Sequence, residues 1–275
     1  DASAYAALLT SAASAIHAAC ADCEVISGGL FFHEQLINGA IEFTHDMLEA
    51  DRGVFDDVDA FGFHPYPSYP PAAPPALARD GQRSIGAMVA DLRAVLALHG
   101  VPELPMAATE LGWPVYSSVD EEEQARFLSR AMILGGALGV DPLCWFNVTD
   151  GRDHGTFPPE DDFGLYRYPS EDPASPIDPK PARDAMRWLS RIGQGAVFSG
   201  VAADPVLHAP AEGRFALDFE RPEGRWRVLF ALASYQAELP GEVREARDHL
   251  GRPVVAAGST WTVGPSPLFF VPPGI

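Results

Sequence analysis

A single glutamate stands at the end of a short apolar run near the middle of the chain. Residues 106–108 are apolar, Glu110 follows, and residues 112–114 (Gly-Trp-Pro) interrupt the strand pattern. Apolar residues that stop at one acid are typical of a buried parallel strand whose C-terminal end carries a functional group. In barrels of alternating strands and helices, active sites lie at that end. Taken alone, Glu110 favours a capping or salt-bridged carboxylate, but three similar strand ends favour a functional one.

These further strand ends carry residues of types that line binding sites. One apolar run ends at His64 and Tyr66, another ends near Trp145, and a shorter one ends at the glycine pair Gly28 and Gly29. Glycines at such a position let a loop or a ligand approach the backbone closely. Individually, the histidine and the tryptophan are more typical of core residues. Their order along the chain favours a shared site.

Amphipathic helices separate these strands. Apolar residues recur at helical spacing over about 3–19, 36–47, 85–96, 125–134 and 181–192. Ser118 and Glu121 match a capping box at the start of the fourth helix. The strand ends are 35 to 46 residues apart, against roughly 31 residues for each strand–helix unit of a TIM barrel. We therefore predict an α/β fold with four consecutive strand–helix units, which is half of such a barrel.

The sequence changes character after residue 193. Short runs rich in Val, Phe and Trp alternate with Gly and Pro turns, at 214–219, 225–230, 260–263 and 267–271. Period-two alternation at this spacing predicts an antiparallel β-sandwich. We therefore predict an α/β domain over 1–193 and a small all-β sandwich domain over 194–275. Trp226 and Trp261 are predicted to be packing residues of the second domain.

Composition and charge exclude several classes of function. The 275 residues are 47% apolar and carry a net charge of −19, from 19 basic and 38 acidic side chains. This balance repels phosphate backbones, so nucleic acid is not an expected partner. No apolar run approaches the roughly 18 residues of a membrane span. The acidic segment 150–162 lacks the spacing of a calcium loop and is interpreted as solvated. No metal and no cofactor is predicted.

Three cysteines are too few for a disulfide framework. Cys20 and Cys23 are interpreted as small buried residues, with a local disulfide as the alternative. Cys144 lies inside an apolar run and is predicted to be a core residue.

The ordered set of motifs resembles a known group of enzymes. Its members are Val-Ile-Ser-Gly-Gly-Leu at 25–30, Phe-His-Pro-Tyr at 63–66, Ala-Thr-Glu-Leu-Gly-Trp-Pro at 108–114, Trp145 with Asp150, Phe-Gly-Leu-Tyr at 163–166 and Pro-Lys-Pro at 179–181. This set resembles the retaining glycoside hydrolases of clan A, of the family 39 and family 5 type. The resemblance covers roughly residues 1–192. It implies a partial (β/α)8 TIM barrel, strands five to eight with their helices, followed by a β-sandwich.

The same resemblance implies roles for five residues. Glu110 corresponds to the nucleophile at the end of strand seven, which forms a covalent glycosyl-enzyme that water hydrolyses. His64 and Tyr66 correspond to the His-x-Tyr pair after strand six, which positions that carboxylate or the sugar. Trp145 would form the floor beneath the cleaved sugar, because an indole suits the apolar face of a pyranose. Trp113 would line the same pocket.

One part of the family pattern is absent. The clan's general acid/base is the glutamate of an Asn-Glu motif that ends strand four, and no Asn-Glu occurs in this sequence. Glu34 is acidic but lies one strand too late. The chain is therefore expected to begin just after the acid/base, either as the C-terminal part of a longer hydrolase, which we favour, or as a chain whose missing half is separate. Alone, it is expected to turn over ordinary glycosides poorly or not at all.

Three hypotheses of function follow. The main one is a retaining O-glycoside hydrolase acting on a polysaccharide or an oligosaccharide, with extracellular or periplasmic location implied by the resemblance. The absent Asn-Glu motivates an alternative, a non-catalytic carbohydrate-binding or cell-surface protein on a degenerate glycosidase fold. The third is an interaction module whose working part is the β-domain. The sugar and the exo or endo mode of action are not specified by these motifs.

Overall fold

A computed structural model describes most of the chain. It describes residues 1–32, 37–67, 74–76, 83–152, 161–168, 176–239 and 245–272. Glu34 and most of the acidic segment 150–162 lie outside the described residues. The chain divides into two compact units, which consist of Asp1–Ala73, Ala78–Leu111 and Leu138–Trp145 for the first, and of Pro74–Leu77, Gly112–Ala137 and Phe146–Ile275 for the second.

The first unit contains a four-stranded parallel sheet and three helices. The strands, in sheet order, are β1 (Leu30–Phe31), β2 (Phe61–His64), β3 (Met106–Leu111) and β4 (Val140–Trp145). The helices are α1 (Ala2–Ala19), α2 (Ile37–Ala50) and α3 (Ile85–Leu98). Sheet order equals chain order, as expected for successive βα units. The predicted α/β class with a parallel sheet is confirmed.

The central strands of this sheet are buried on both faces. Phe61 and Phe63 of β2 are fully buried, as are Met106, Ala107 and Ala108 of β3. Near-continuous apolar runs are what parallel strands need, because helices or loops cover both of their faces. The C-terminal ends of β2 and β3, where the apolar runs stop, therefore lie side by side at the same end of the sheet.

The edge strand β4 corrects one prediction. Cys144 is exposed, so its predicted place in the core is wrong. Within the described part of the chain β4 pairs with β3 alone, and Asp141 and Pro142 are exposed beside it. An apolar run indicates burial only where a neighbouring strand or a packed layer covers it.

The other two cysteines form a bond with each other. Cys20 and Cys23 are joined by a disulfide that follows α1 directly. Cys23 is exposed. The interpretation as small buried residues is therefore wrong, and the local disulfide is confirmed.

The second unit contains two helices and the antiparallel strands. The helices are α4 (Glu121–Ala137) and α5 (Pro181–Gly193). The strands are β5 (Val197–Val201), β6 (Arg214–Arg221), β7 (Gly224–Ala231), β8 (Tyr235–Glu238), β9 (Glu245–Arg247), β10 (Pro253–Val255), β11 (Thr260–Val263) and β12 (Leu268–Phe270), with a short 3-10 helix at Pro210–Glu212. A six-stranded sheet has the order β10-β9-β12-β7-β6-β5, and β11 pairs with β8 in a separate ribbon.

Alternation along β6 and β7 gives this sheet two apolar faces. One face carries Phe215 and Trp226 and packs with Trp188 of α5. The other face carries Leu229 and packs with Trp261 of the ribbon. Each fully buried large side chain contributes about 1.5–3 kcal/mol relative to exposure. The predicted packing roles of Trp226 and Trp261 are confirmed, whereas the sandwich and its boundary after residue 193 stay predictions.

The start of α4 also differs from its prediction. The side chain of Asp120 accepts a 2.7 Å hydrogen bond from the backbone N–H of Glu123. Asp120 is therefore the capping residue, in place of the predicted Ser118, because it directly precedes the first helical residue. None of the helices within the described ranges is long and apolar enough to span a membrane.

Candidate active site

Two neighbouring strands bring a histidine and a glutamate to the same edge of the parallel sheet. The register pairs Phe63 of β2 with Ala108 of β3. His64 and Thr109 are therefore the next neighbours along the two strands, and Glu110 follows. The sequence predicted that these strand ends meet, because parallel strands present their carboxyl ends on one side.

A tyrosine holds one oxygen of the glutamate. The Tyr66 hydroxyl donates a 2.7 Å hydrogen bond to Glu110 Oε1. The second oxygen, Oε2, lies 3.7 Å from His64 Nδ1, which is close but longer than a direct hydrogen bond. The Glu110 side chain is 34% exposed, so solvent or a ligand reaches it. The described structure thus brings together three of the five residues selected from the sequence.

His64 is held in place by the strands on both sides. Its Nε2 lies 3.1 Å from Thr109 Oγ1. A Cβ added at Gly29 would lie 2.1 Å from the same nitrogen, so only glycine fits there. Burial lowers the pKa of His64, and the attraction of Glu110 offsets this only in part. The imidazole is therefore neutral at neutral pH, and it stands beside the carboxylate without neutralising it.

Phe31 is a further residue near this cluster, and the sequence motifs did not select it. Its ring centroid lies 5.4 Å from that of Tyr66 at a tilt of 54°. The β1 register places Phe31 beside His64, and the residue is 38% exposed. Thr109 was also missed as a contact of His64. The sequence signals for these two residues were weak. Phe31 lies in a strand of only two residues, and Thr109 lies inside the Thr-Glu motif.

The two tryptophans have different surroundings. Trp145 is the last residue of β4 and pairs in register with Leu111, directly after Glu110. It therefore lies at the carboxyl end of its strand, as predicted, whereas its role as the floor beneath the sugar stays a prediction. Trp113 belongs to the second unit, is fully buried and packs edge-on against Phe127, with 5.5 Å between ring centroids. Its predicted place along a sugar pocket stays a prediction.

The chemistry available to this cluster follows from its charges. Glu110 carries a carboxylate with one neutral donor on one oxygen and a second oxygen near a neutral imidazole. Such a group can attack an electrophilic carbon or stabilise a positive charge that develops beside it. Within the described ranges, no three His, Cys, Asp or Glu side chains are grouped so as to hold a metal ion.

Comparison with known proteins gives matches among solved structures. No protein-family model matches the sequence, and no curated protein matches it. A family 39 glycoside hydrolase from the gut symbiont Bacteroides cellulosilyticus superposes with a TM-score of 0.71 at 19% identity, covering 97% of this chain and 54% of that one. A β-porphyranase of family 86 from Bacteroides plebeius gives a TM-score of 0.60 at 11% identity, over 96% of this chain and 50% of the other.

A family 39 β-xylosidase from Caulobacter crescentus is a third match. Its TM-score is 0.54 at 15% identity, and the match covers 98% of this chain and 61% of the enzyme. At these identities the likeness concerns the fold. The chain spans about half the length of the structures that it matches. It has the fold of the clan A glycoside hydrolases of the family 39 type, on a part of their length.

Proposed function

We propose that the whole protein is a retaining O-glycoside hydrolase acting on a polysaccharide or an oligosaccharide, with Glu110 as its nucleophile. The observation that carries this proposal is the accessible Glu110 carboxylate, which is hydrogen-bonded by Tyr66 at the carboxyl end of a parallel strand. The fold of the matched glycoside hydrolases supports the same class of reaction. A carboxylate at this end of such a sheet is where this chemistry is expected.

In this reaction Glu110 attacks the anomeric carbon while the bond to the leaving-group oxygen breaks. The leaving group takes a proton from a general acid, and a glycosyl ester forms on Glu110. Water then attacks the anomeric carbon, gives its proton to the same general acid/base, and releases the sugar and the free carboxylate. Tyr66 and His64 orient the nucleophile, and Trp145 and Phe31 offer apolar surface to the sugar rings.

The proposed architecture places this chain as strands five to eight of a (β/α)8 barrel, followed by a β-sandwich over 194–275. The four-stranded sheet with its exposed edge at β4 supports this, as does the half-length match to solved structures. Since no Asn-Glu occurs in the sequence, we propose that the other half of the barrel supplies the acid/base. An extracellular or periplasmic location suits such an enzyme.

Covalent labelling tests the nucleophile. The probes are 2-deoxy-2-fluoro glycosides with a dinitrophenolate leaving group, which departs with little help from a general acid. Peptide mass spectrometry should find the adduct on Glu110. Glu110→Gln should abolish labelling, whereas Glu103→Gln, at an exposed position just before β3, should leave it intact. If the probe labelled another residue in a protein that retains activity, Glu110 would not be the nucleophile.

A second candidate function is favoured by one observation, the absence of the Asn-Glu motif. In this alternative the protein binds glycans at the residues around Glu110 without cleaving them. Calorimetry on the full-length protein distinguishes the two functions. Measurable glycan affinity with no turnover and no labelling would favour the binding protein, whereas turnover that is lost in Glu110→Gln would exclude it.

A further inference from the structure

The second unit contains a cleft that the reaction at Glu110 does not use. Its volume is about 330 Å³. Helix α5 supplies Asp184, Arg187, Trp188 and Arg191, while β9 and the turn after it supply Arg247 and Gly251. The α5 residues follow one another at helical spacing and so form one face of the helix. We refer to this group of six residues as the arginine cleft.

The charge of the arginine cleft is opposite to that of the chain. The only described carboxylate lining it, Asp184, is paired with Arg183 at 2.8 Å, and Arg247 is paired with Glu245 at 3.1 Å. Arg187 and Arg191 are exposed and make no side-chain hydrogen bond or ion pair within the described residues. Among the residues that the structure describes, two guanidinium groups therefore have no ion-pair partner, in a protein with a net charge of −19.

A nearly buried tryptophan lies among these cations. Trp188 lines the cleft and is 8% exposed, and its indole Nε1 is buried with no hydrogen-bond partner in the described part of the chain. A buried donor without an acceptor costs free energy, but this nitrogen is closed to solvent, so the part of Trp188 that lines the cleft is its ring. A Cβ added at position 251 would lie 3.0 Å from the Trp188 ring. Glycine at this position therefore allows the turn after β9 to approach the ring closely.

Helix electrostatics accounts for only one of these arginines. Arg191 lies in the last turn of α5, where a cation stabilises the negative end of the helix dipole. Arg187 lies a turn earlier, and Arg247 comes from a different element. Their convergence on one cleft is therefore not explained by helix capping.

We propose that the arginine cleft binds the carboxylate of an acidic sugar, so that the protein recognises a uronic acid-containing glycan. The planar guanidinium fork matches a carboxylate with two parallel hydrogen bonds. The volume of the cleft is at the lower end of the range for small-molecule sites and suits one sugar ring. The saccharide part of this inference rests on the function proposed above, whereas the anionic part rests on the cleft itself.

Titration of the 275-residue chain with three probes tests this inference. The probes are a uronic acid trisaccharide, a neutral trisaccharide with the same number of rings, and sodium sulfate. Binding of the acidic trisaccharide should weaken as salt rises and should shift the indole N–H resonance of Trp188, which Trp188→Phe identifies. Arg187→Gln and Arg191→Gln should each weaken binding about tenfold, since each removes charge-assisted hydrogen bonds.

Arg52→Gln is the matched control. Arg52 is 80% exposed and belongs to the first unit, so this change removes the same charge and should leave the affinity unchanged. Absence of binding, or equal affinity in Arg187→Gln and Arg52→Gln, would overturn the inference. Equal affinity for the neutral trisaccharide would also overturn it. Equally tight sulfate binding would show that a free anion, not a sugar, is the ligand.

Glu110→Gln separates this inference from the proposed function. It should abolish covalent labelling and leave the affinity of the arginine cleft unchanged, because the two sites share no residue. Labelling of Glu110 without binding of the acidic trisaccharide overturns the cleft inference alone. Binding by the chain, with no labelling of Glu110 in the full-length protein, overturns the assignment of the nucleophile alone.

Discussion

Carboxylates in the two units are held in opposite ways. Asp218 in the six-stranded sheet is fully enclosed and accepts hydrogen bonds from Arg225 and Arg227. Asp150 is buried against Lys180, whose Nζ lies 2.9 Å from Oδ1. Glu110 in the parallel sheet accepts its bond from a neutral phenol and is a third exposed. Full enclosure by cations makes a carboxylate structural, whereas a neutral donor and an open side leave it free to react.

Two histidines extend the comparison. Burial lowers the pKa of His64, and the neighbouring Glu110 opposes this shift. Burial lowers the pKa of His249, in the second unit, to about 4, and Asp248 opposes the shift only in part while nearby arginines add to it. His249 Nδ1 lies 2.6 Å from Ser266 Oγ. Both rings are neutral at neutral pH, and both lie beside a carboxylate that is a third exposed, since His249 Nε2 is 3.1 Å from Glu122 Oε1. Unlike Glu110, Glu122 also lies within 4 Å of two cations, Arg126 and Arg252.

The largest expected effect concerns activity. Under the proposed function, Glu110→Gln in the full-length protein should lower turnover at least about 10⁴-fold, because the amide cannot form the glycosyl ester. Stability should change by no more than about 0.5–1 kcal/mol, since the amide oxygen still accepts from Tyr66. Steady-state kinetics and urea unfolding measure the two quantities. Unchanged turnover would show that Glu110 is not catalytic. The contrast between a reactive carboxylate at Glu110 and structural carboxylates in the second unit would then fail.

The second prediction concerns the buried pair. Lys180→Met should lower the free energy of unfolding by about 3–5 kcal/mol, because Asp150 keeps a buried charge without its cation. Burial already raises the pKa of Asp150 against the opposing effect of Lys180. Urea unfolding at neutral pH measures the loss.

A second substitution sharpens that test. Adding Asp150→Asn to Lys180→Met should restore part of the stability, because the amide is uncharged and its oxygen still accepts from the N–H of Gly164. Arg52→Met, at an exposed position, should cost almost nothing. If Lys180→Met and Arg52→Met lowered the free energy of unfolding equally, the buried pair would contribute no more to stability than a surface cation does.

The third prediction concerns pH. The pKa of His249 is about 4 in the folded chain, against about 6.5 when unfolded. The unfolded state therefore takes up the proton first as pH falls. The free energy of unfolding should therefore fall by roughly 3 kcal/mol as the pH is lowered from about 6.5 to about 4. Urea unfolding at pH 7 and pH 4 measures this loss.

The matched variant for this pH effect is His249→Asn, which does not titrate. Carboxylates also protonate in this range, so the informative quantity is the difference between the two pH dependences. The variant should lose about 3 kcal/mol less than the parent between pH 7 and pH 4. Identical pH dependences would show that His249 charges as readily in the folded state as in the unfolded one.

The smallest expected effect concerns Tyr66, the hydrogen-bond donor to the proposed nucleophile Glu110. Tyr66→Phe in the full-length enzyme should lower kcat about 10–100-fold, as expected when a charged group loses one hydrogen bond. The KM should change less, because the phenol contacts the carboxylate rather than providing a large sugar surface. A change in KM alone would assign Tyr66 to substrate binding.

The sequence predicted the elements of this fold because their signals are local. Helical periodicity gave the extent of α1 and α5 to within a residue or two, and the alternation of residues 214–219 and 225–230 predicted β6 and β7. Residues that stop an apolar run, such as His64 and Glu110, indicated the strand ends. Each of these features depends on neighbours within a few positions, so no knowledge of the rest of the chain was required.

Tertiary structure decided everything that depends on distant neighbours. Cys144 is exposed because β4 lies at an edge of the described sheet. Lys180 meets Asp150 across 30 residues of sequence, and Arg247 from β9 joins α5 in the arginine cleft. Sequence spacing cannot show which layers pack together, and burial and charge pairing follow from that packing.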